Sequence, residues 1–135
     1  VSVDAAAVES RLMTQLAAWS AASVAGGAGL WLAGRRRHRD LARFGLQQVA
    51  WGAVDGAIAA VGFWRAGKRT EDPDAAALRR LLLVNAALDV GYVAGGAVLA
   101  VRRPWEGARG DGAGIVVQGG FLLVQDVRYA RQLPR

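Results

Sequence analysis

The chain has no cysteine, one methionine, one histidine and three prolines among its 135 residues. Without cysteine there is no disulfide, no thiol nucleophile and no cysteine-ligated metal. The single histidine, His38, lies among Arg35, Arg36, Arg37 and Arg39. A ring in such a polar turn is solvated rather than a ligand. There is no HExxH pair, no phosphate-binding glycine loop, no GxSxG elbow and no haem-type histidine inside a helix. No cofactor and no transition-metal site are expected.

The most informative absence is that of charge over long stretches. Leu12 to Gly34 carries none, and Phe44 to Trp64 carries only Asp55. Leu81 to Val101 carries only Asp89, and Gly112 to Gln125 is again free of charge. A bilayer core of about 30 Å needs roughly 20 apolar residues at a rise of about 1.5 Å each. The first three stretches meet that length. The fourth reaches it when Asp126, Val127, Arg128 and Tyr129 enter the interface, with Arg128 snorkelling. The chain therefore reads as an all-α, membrane-embedded four-helix bundle. It forms one transmembrane domain over residues 1–135, with spans near 12–33, 44–64, 81–101 and 112–129.

The competing fold is a soluble four-helix bundle, which the modest mean hydropathy of +0.21 allows. A soluble bundle needs a polar stripe on every helix. Val84, Ala86, Ala87, Leu88, Val90, Val93 and Ala94 run right round the third helix and leave no such stripe.

What charge there is gathers between these stretches. The net charge of +6 comes from Arg35–Arg37, Arg39 and Arg43, then Arg65, Lys68 and Arg69, then Arg79 and Arg80. That placement suits anionic lipid headgroups and argues against nucleic acid. With four spans, both sides hold nearly equal numbers of Lys and Arg, so the positive-inside rule returns no orientation. Asp4 and Glu9 stand where a signal peptide would be positive, so the first helix is expected to be retained. The Ala, Arg and Gly bias suggests a GC-rich bacterial genome, and hence a multi-pass protein of the bacterial inner membrane.

Local signals set the helix ends. The first helix starts near Asp4 and stops at the arginine turn, and the second runs from about Leu41 to Arg65. In Thr70-Glu71-Asp72-Pro73-Asp74, Asp72 suits a cap, Pro73 a first turn and Asp74 the helix dipole. The third helix runs to about Val101, where Pro104 blocks it. Gly107, Gly110, Gly112 and Gly114 read as a flexible loop before a fourth helix that ends near Gln132. Val24-Ala25-Gly26-Gly27 recurs as Val93-Ala94-Gly95-Gly96. Gln48 and Asp55 also share the seven-residue spacing of Gln118 and Gln125. Both repeats hint at two duplicated helical hairpins. Gly52/Gly56 and Gly91/Gly95 form GxxxG pairs that read as helix-packing motifs. Trp31, Trp64 and Trp105 fall near span ends, as an aromatic belt would place them.

Polar residues inside the spans are the functional lead. Carboxylates in a bilayer are costly and usually face a bundle interior or a watery cavity. Asn85, Asp89 and Tyr92 share one face of the third helix. Gln48, Trp51 and Asp55 fall on one side of the second helix, and Gln118 lies inside the fourth. The candidate ligand-binding set is Asp55, Asn85, Asp89, Tyr92, Gln118, Gln48 and Asp126. Asp126, two residues before Arg128, also reads as an interfacial residue paired with that guanidinium. No Lys, Arg or His lies within a span to neutralise Asp55 or Asp89, which leaves protonation or a cation from outside the chain. Carboxylates with carboxamides are hard ligands that suit a hard cation. The bland alternative is that all these groups hydrogen-bond between helices, at about 0.6 kcal/mol each.

Leu88-Asp89-Val90-Gly91-Tyr92-Val93-Ala94-Gly95-Gly96 and Gln118-Gly119-Gly120-Phe121-Leu122-Leu123-Val124-Gln125-Asp126 resemble a group of small bacterial four-helix membrane proteins of unknown function. In that group the third helix reads N-A-x-L-D-V-x-Y and the fourth Q-G-x-F-L-L-x-x-D. Gln48 to Gly62 is similar to its second helix, with Asn expected where this chain has Asp55. The resemblance covers most of the chain after about Gly45. It brings no activity, and draws attention to Asn85, Asp89, Tyr92, Gln118 and Asp126 as motif positions.

Three functions fit these readings. The first is a binding or transport protein for a proton, cation or small polar ligand, which four helices would achieve as a homodimer. The second is a membrane enzyme with an aspartate as general acid on a lipid or isoprenoid, assisted by Tyr92, with Trp19 and Trp51 shaping the pocket. The third is an accessory subunit of a larger membrane complex.

Overall fold

A computed structural model describes residues 3–135. Four α-helices follow one another: α1 (Ala5–Gly34), α2 (Arg39–Lys68), α3 (Ala75–Arg102) and α4 (Ala108–Ala130), with no strand among the described residues. Alanine and leucine favour long helices, and the prolines stand outside them. The Asp4 carboxylate accepts the Ala7 N–H at 2.9 Å and caps α1. The cap of α3 is Asp74, which accepts from the Ala76 and Ala77 N–H groups. Asp72 was the expected cap, and the helix starts two residues later, beyond Pro73. Arg103 adopts the left-handed conformation (φ 48°) and donates its N–H to the Leu99 carbonyl, and Pro104 follows.

α4 begins four residues earlier than its expected span, because Gly110, Gly112 and Gly114, which read as part of a loop, are helical. Only Gly107, at φ 89°, needs the freedom of glycine for its backbone. Gly110 and Gly112 instead let neighbouring backbones come close, and Gly114 makes room for the Gln47 side chain.

α1 and α2 form one antiparallel hairpin, α3 and α4 another, and the two join mainly along α2 and α4. Each hairpin crosses glycine on glycine. A Cβ on Gly27 would meet the Gly45 carbonyl, and one on Gly96 would meet the Gly112 carbonyl. Gly52 and Gly56 likewise seat Ser20 of α1. Gly91 and Gly95 do not serve this way, since each faces open space. α2 and α3 hardly touch along their lengths, and the gap between them is a cleft.

Many apolar side chains lie on the outside, and several polar ones lie inside. Leu32, Val54, Ile58, Leu81, Val84, Leu88, Val90, Val98 and Val124 are exposed, while Asp55, Asp89, Gln118, Gln125 and Asp126 are buried. One apolar cluster, with Val8 and Leu12 of α1, Leu82 of α3 and Tyr129 and Leu133 at the C-terminal end, closes one end of the bundle. α1 and α3 are each long and apolar enough to cross a membrane, yet only 22% of the most apolar stretch of either is buried. α2 and α4 fall short of that apolarity. Gln47, Gln48 and Asp55 dilute the one, and Gln118, Gln125 and Asp126 the other.

Candidate functional site

The cleft between α2 and α3 has a volume of about 850 Å³. Its lips are apolar: Val54, Ile58 and Val61 on α2, Leu81 and Leu88 on α3, all exposed. Its floor is polar. Asp55, Asp89 and Asp126 line it at 2%, 4% and 6% exposure, with Gln125 beside them. Helical spacing explains the convergence. Trp51, Asp55 and Ile58 follow i, i+4, i+7 on α2, as do Asn85, Asp89 and Tyr92 on α3. The Trp51 and Tyr92 rings meet edge to face across the cleft, 5.1 Å between centroids. Arg65, Arg69 and Glu9 line the opposite end, where Arg69 is bound to Glu9 at 2.8 Å.

No basic side chain neutralises the floor. Among the described residues the ion pairs are Arg39–Glu106, Arg43–Asp111 and Arg69–Glu9. Asp55 Oδ2, Asp89 Oδ2 and Gln125 Oε1 are buried without a hydrogen-bond partner. Such groups are rare in native proteins and costly to keep. Asp126 lies within range of the charges of both Asp55 and Asp89. The floor is thus a set of mutually repelling acids in an apolar cleft.

Asp126 corrects one expectation. It is buried in the cleft and forms no ion pair with Arg128. Residues two apart on a helix point about 200° away from one another, so they cannot meet. Among the described residues, no three His, Asp or Glu side chains come together closely enough to hold a metal ion.

Gln48 and Gln118 sit elsewhere, in a hydrogen-bond network that links α1, α2 and α4. Gln118 Oε1 accepts from Trp19 Nε1 at 2.7 Å, and its Nε2 donates to Ser23 Oγ and to Gln48 Oε1. Gln48 Nε2 donates in turn to the Gly114 carbonyl at 3.3 Å. Trp19 stacks on Phe121 with ring centroids 4.0 Å apart, away from the cleft. Through these bonds the two glutamines join α1, α2 and α4, outside the lining of the cleft.

Sequence reasoning passed over two features. Gln125 was visible only through its spacing from Gln118. The other is a polar cap where α2 and α4 begin. Arg43 grips Asp111 through Nε and Nη2 at 2.9–3.1 Å, while Gln47 Nε2 and Trp105 Nε1 each donate to the same carboxylate at 3.0 Å. The sequence reading places Arg43 at lipid headgroups and Trp105 in an aromatic belt, whereas in the structure both bond to Asp111. Burial pushes the Asp111 carboxyl up. The hydrogen bonds from Arg43, Gln47 and Trp105, with the Arg43 charge, outweigh it and hold the group below its usual value of 3.8.

The sign of the linkage follows. A carboxyl depressed in the folded state contributes stability above its unfolded pKa and loses it as pH falls through the folded one. Asp111→Asn is therefore expected to lower the melting temperature at neutral pH, with the gap to wild type closing below about pH 4. Melting curves from neutral to acid pH check this. Parallel curves with a constant gap would show that the carboxylate charge is not what matters.

The family of unknown function DUF6992 matches residues 15–127, reaching well into α1. No curated protein and no solved structure matches the chain.

Proposed function

We propose that this chain, which belongs to DUF6992, is a four-span integral membrane protein whose acidic cleft binds or transports a proton, cation or small polar ligand. One observation carries the reading: an unneutralised acidic floor sits inside a bundle whose outer surface is apolar. In lipid an apolar exterior is the matched one, and interior carboxylates mark ligand or ion pathways. The helix ends agree with this placement. Arg35 stacks over Trp31 and Lys68 over Trp64, pairing an interfacial ring with a cation at each end. Helices of 30 residues, roughly 45 Å long, exceed the hydrocarbon core and carry these ends to the headgroups. Anionic lipids at the arginine-rich turns, a multi-pass place in a bacterial inner membrane, and a homodimer as the transporting form belong to the same proposal.

Two measurements test it. The protein should sediment with membranes, resist alkaline carbonate and be released by detergent; recovery in the soluble fraction would end the membrane reading. In proteoliposomes, proton- or cation-dependent uptake should require the carboxylates. Uptake that persisted in the Asp55→Asn, Asp89→Asn double variant would rule the site out.

The cleft also favours a second reading. It has room beside Asp89 for an acyl or prenyl chain, as a lipid- or isoprenoid-modifying enzyme with an aspartate acid would need. Tyr92 and Trp51 line it, whereas Trp19 does not. Product formation from a lipid or prenyl substrate that is lost in Asp89→Asn would favour this reading over transport.

A further inference from the structure

We propose that the cleft binds a lipophilic organic monocation, an amine or quaternary ammonium carrying apolar groups, which slips in sideways between α2 and α3. The inference rests on the acidic-cleft reading above and names its ligand class.

Charge selects the sign. Asp55, Asp89 and Asp126 face the cleft with no Lys, Arg or His bound to them, and two of their oxygens have no partner at all. An anion placed there would add repulsion to a floor that already repels itself. The two arginines of the cleft stand at its far end, and Arg69 is already held by Glu9.

Geometry selects the kind of cation. A divalent metal needs six or more oxygens within about 2.6 Å, and these acids are not gathered for that. A volume of about 850 Å³ lies in the range of pockets for drug-sized organic molecules. A diffuse charge can answer several separated carboxylates at once, where a point charge answers one.

The walls select its body. Val54, Ile58 and Leu88 at the lips offer apolar contact. Trp51 and Tyr92, which line the cleft with the acids, are aromatic rings of the kind that attract a cation. Because α2 and α3 scarcely pack together, the gap opens on the same apolar exterior that would face lipid. A ligand partitioned into the bilayer would therefore reach the acids without crossing water.

The experiment uses two probes of one shape and opposite charge, tetraphenylphosphonium and tetraphenylborate, with the purified full chain in a nonionic detergent. Equilibrium dialysis should show saturable binding of the phosphonium and none of the borate. Asp55→Asn, Asp89→Asn, nearly isosteric and checked by circular dichroism, should weaken phosphonium binding at least about tenfold, the equivalent of 1.4 kcal/mol. Leu88→Trp, a change at an exposed lip, should also weaken it and leave the fold intact. Equal binding of both probes, or unchanged phosphonium binding in the double variant, would overturn the inference. If proton or inorganic-cation uptake depends on the two aspartates while the phosphonium does not bind, the acidic-site reading survives and this one fails. Loss of both would remove the site itself.

Discussion

Gly110→Ala is expected to cost about 3 kcal/mol or more and to prevent the bundle from assembling. A methyl group there would collide with the Asp40 carbonyl and come within 2.8 Å of its carbonyl carbon and Cα. Side chains can swing away from such a contact, but backbone cannot. Relief would push α2 from α4, the pair along which the two hairpins join. It would also pull the Gly110 N–H from Asp40 Oδ1 and strain the grip of Arg43 on Asp111 next to it. Gly112 is confined in the same way on the opposite face, by the Gly96 carbonyl and the Ala100 N–H nitrogen of α3. The start of α4 is thus wedged between two helices, one glycine to each side. Gly91→Ala and Gly95→Ala make the contrast, since both positions are helical and open to space. There alanine should add roughly 0.5–1 kcal/mol through helix propensity. Thermal unfolding of the three variants in detergent decides the matter. A Gly110→Ala protein that melts with wild type would mean that α2 and α4 are not in backbone contact.

The glycines also show what the sequence could convey. Pro73, Pro104, Asp4 and the arginine turn mark helix ends through local chemistry, and the ends fall close to where they were expected. Gly110, Gly112 and Gly114 looked like a loop, because glycine signals backbone freedom and close helix approach with the same letter. Only the presence of a second backbone tells the two apart. The polar residues divide for a similar reason. Asp55, Asn85, Asp89 and Tyr92 meet in the cleft, as their shared helix faces implied. Asp126 joins them because helical geometry turns it away from Arg128. Gln48 and Gln118 have the same standing in the sequence, yet they bond to Trp19, Ser23 and Gly114, outside the lining of the cleft. Whether a buried amide is glue or a site depends on its partners, and those come from helices 66–99 residues away in the chain.

That distinction predicts opposite responses to substitution. Asp55→Asn with Asp89→Asn is expected to raise stability, by on the order of 1 kcal/mol at each position. Both carboxylates are nearly inaccessible, each has an oxygen without a partner, and Asp55 is exposed to the charge of Asp89. The amide keeps the shape and removes the charge, so like-charge repulsion and the cost of a buried anion both fall. Gln118→Leu should do the reverse. It strands the Trp19 N–H, the Ser23 hydroxyl and the Gln48 carbonyl, each an orphan costing about 1–3 kcal/mol before the neighbours relax. Melting temperatures of the two variants at neutral pH are the test. Groups that serve only as glue are selected for stability, and replacing them lowers it. Groups kept for binding persist although the empty protein would be more stable without them. A double variant that melts clearly below wild type would place Asp55 and Asp89 with Gln118 among the residues that hold helices together. The cleft would then be a by-product of packing, and protein partners, not ligands, would be the next thing to seek.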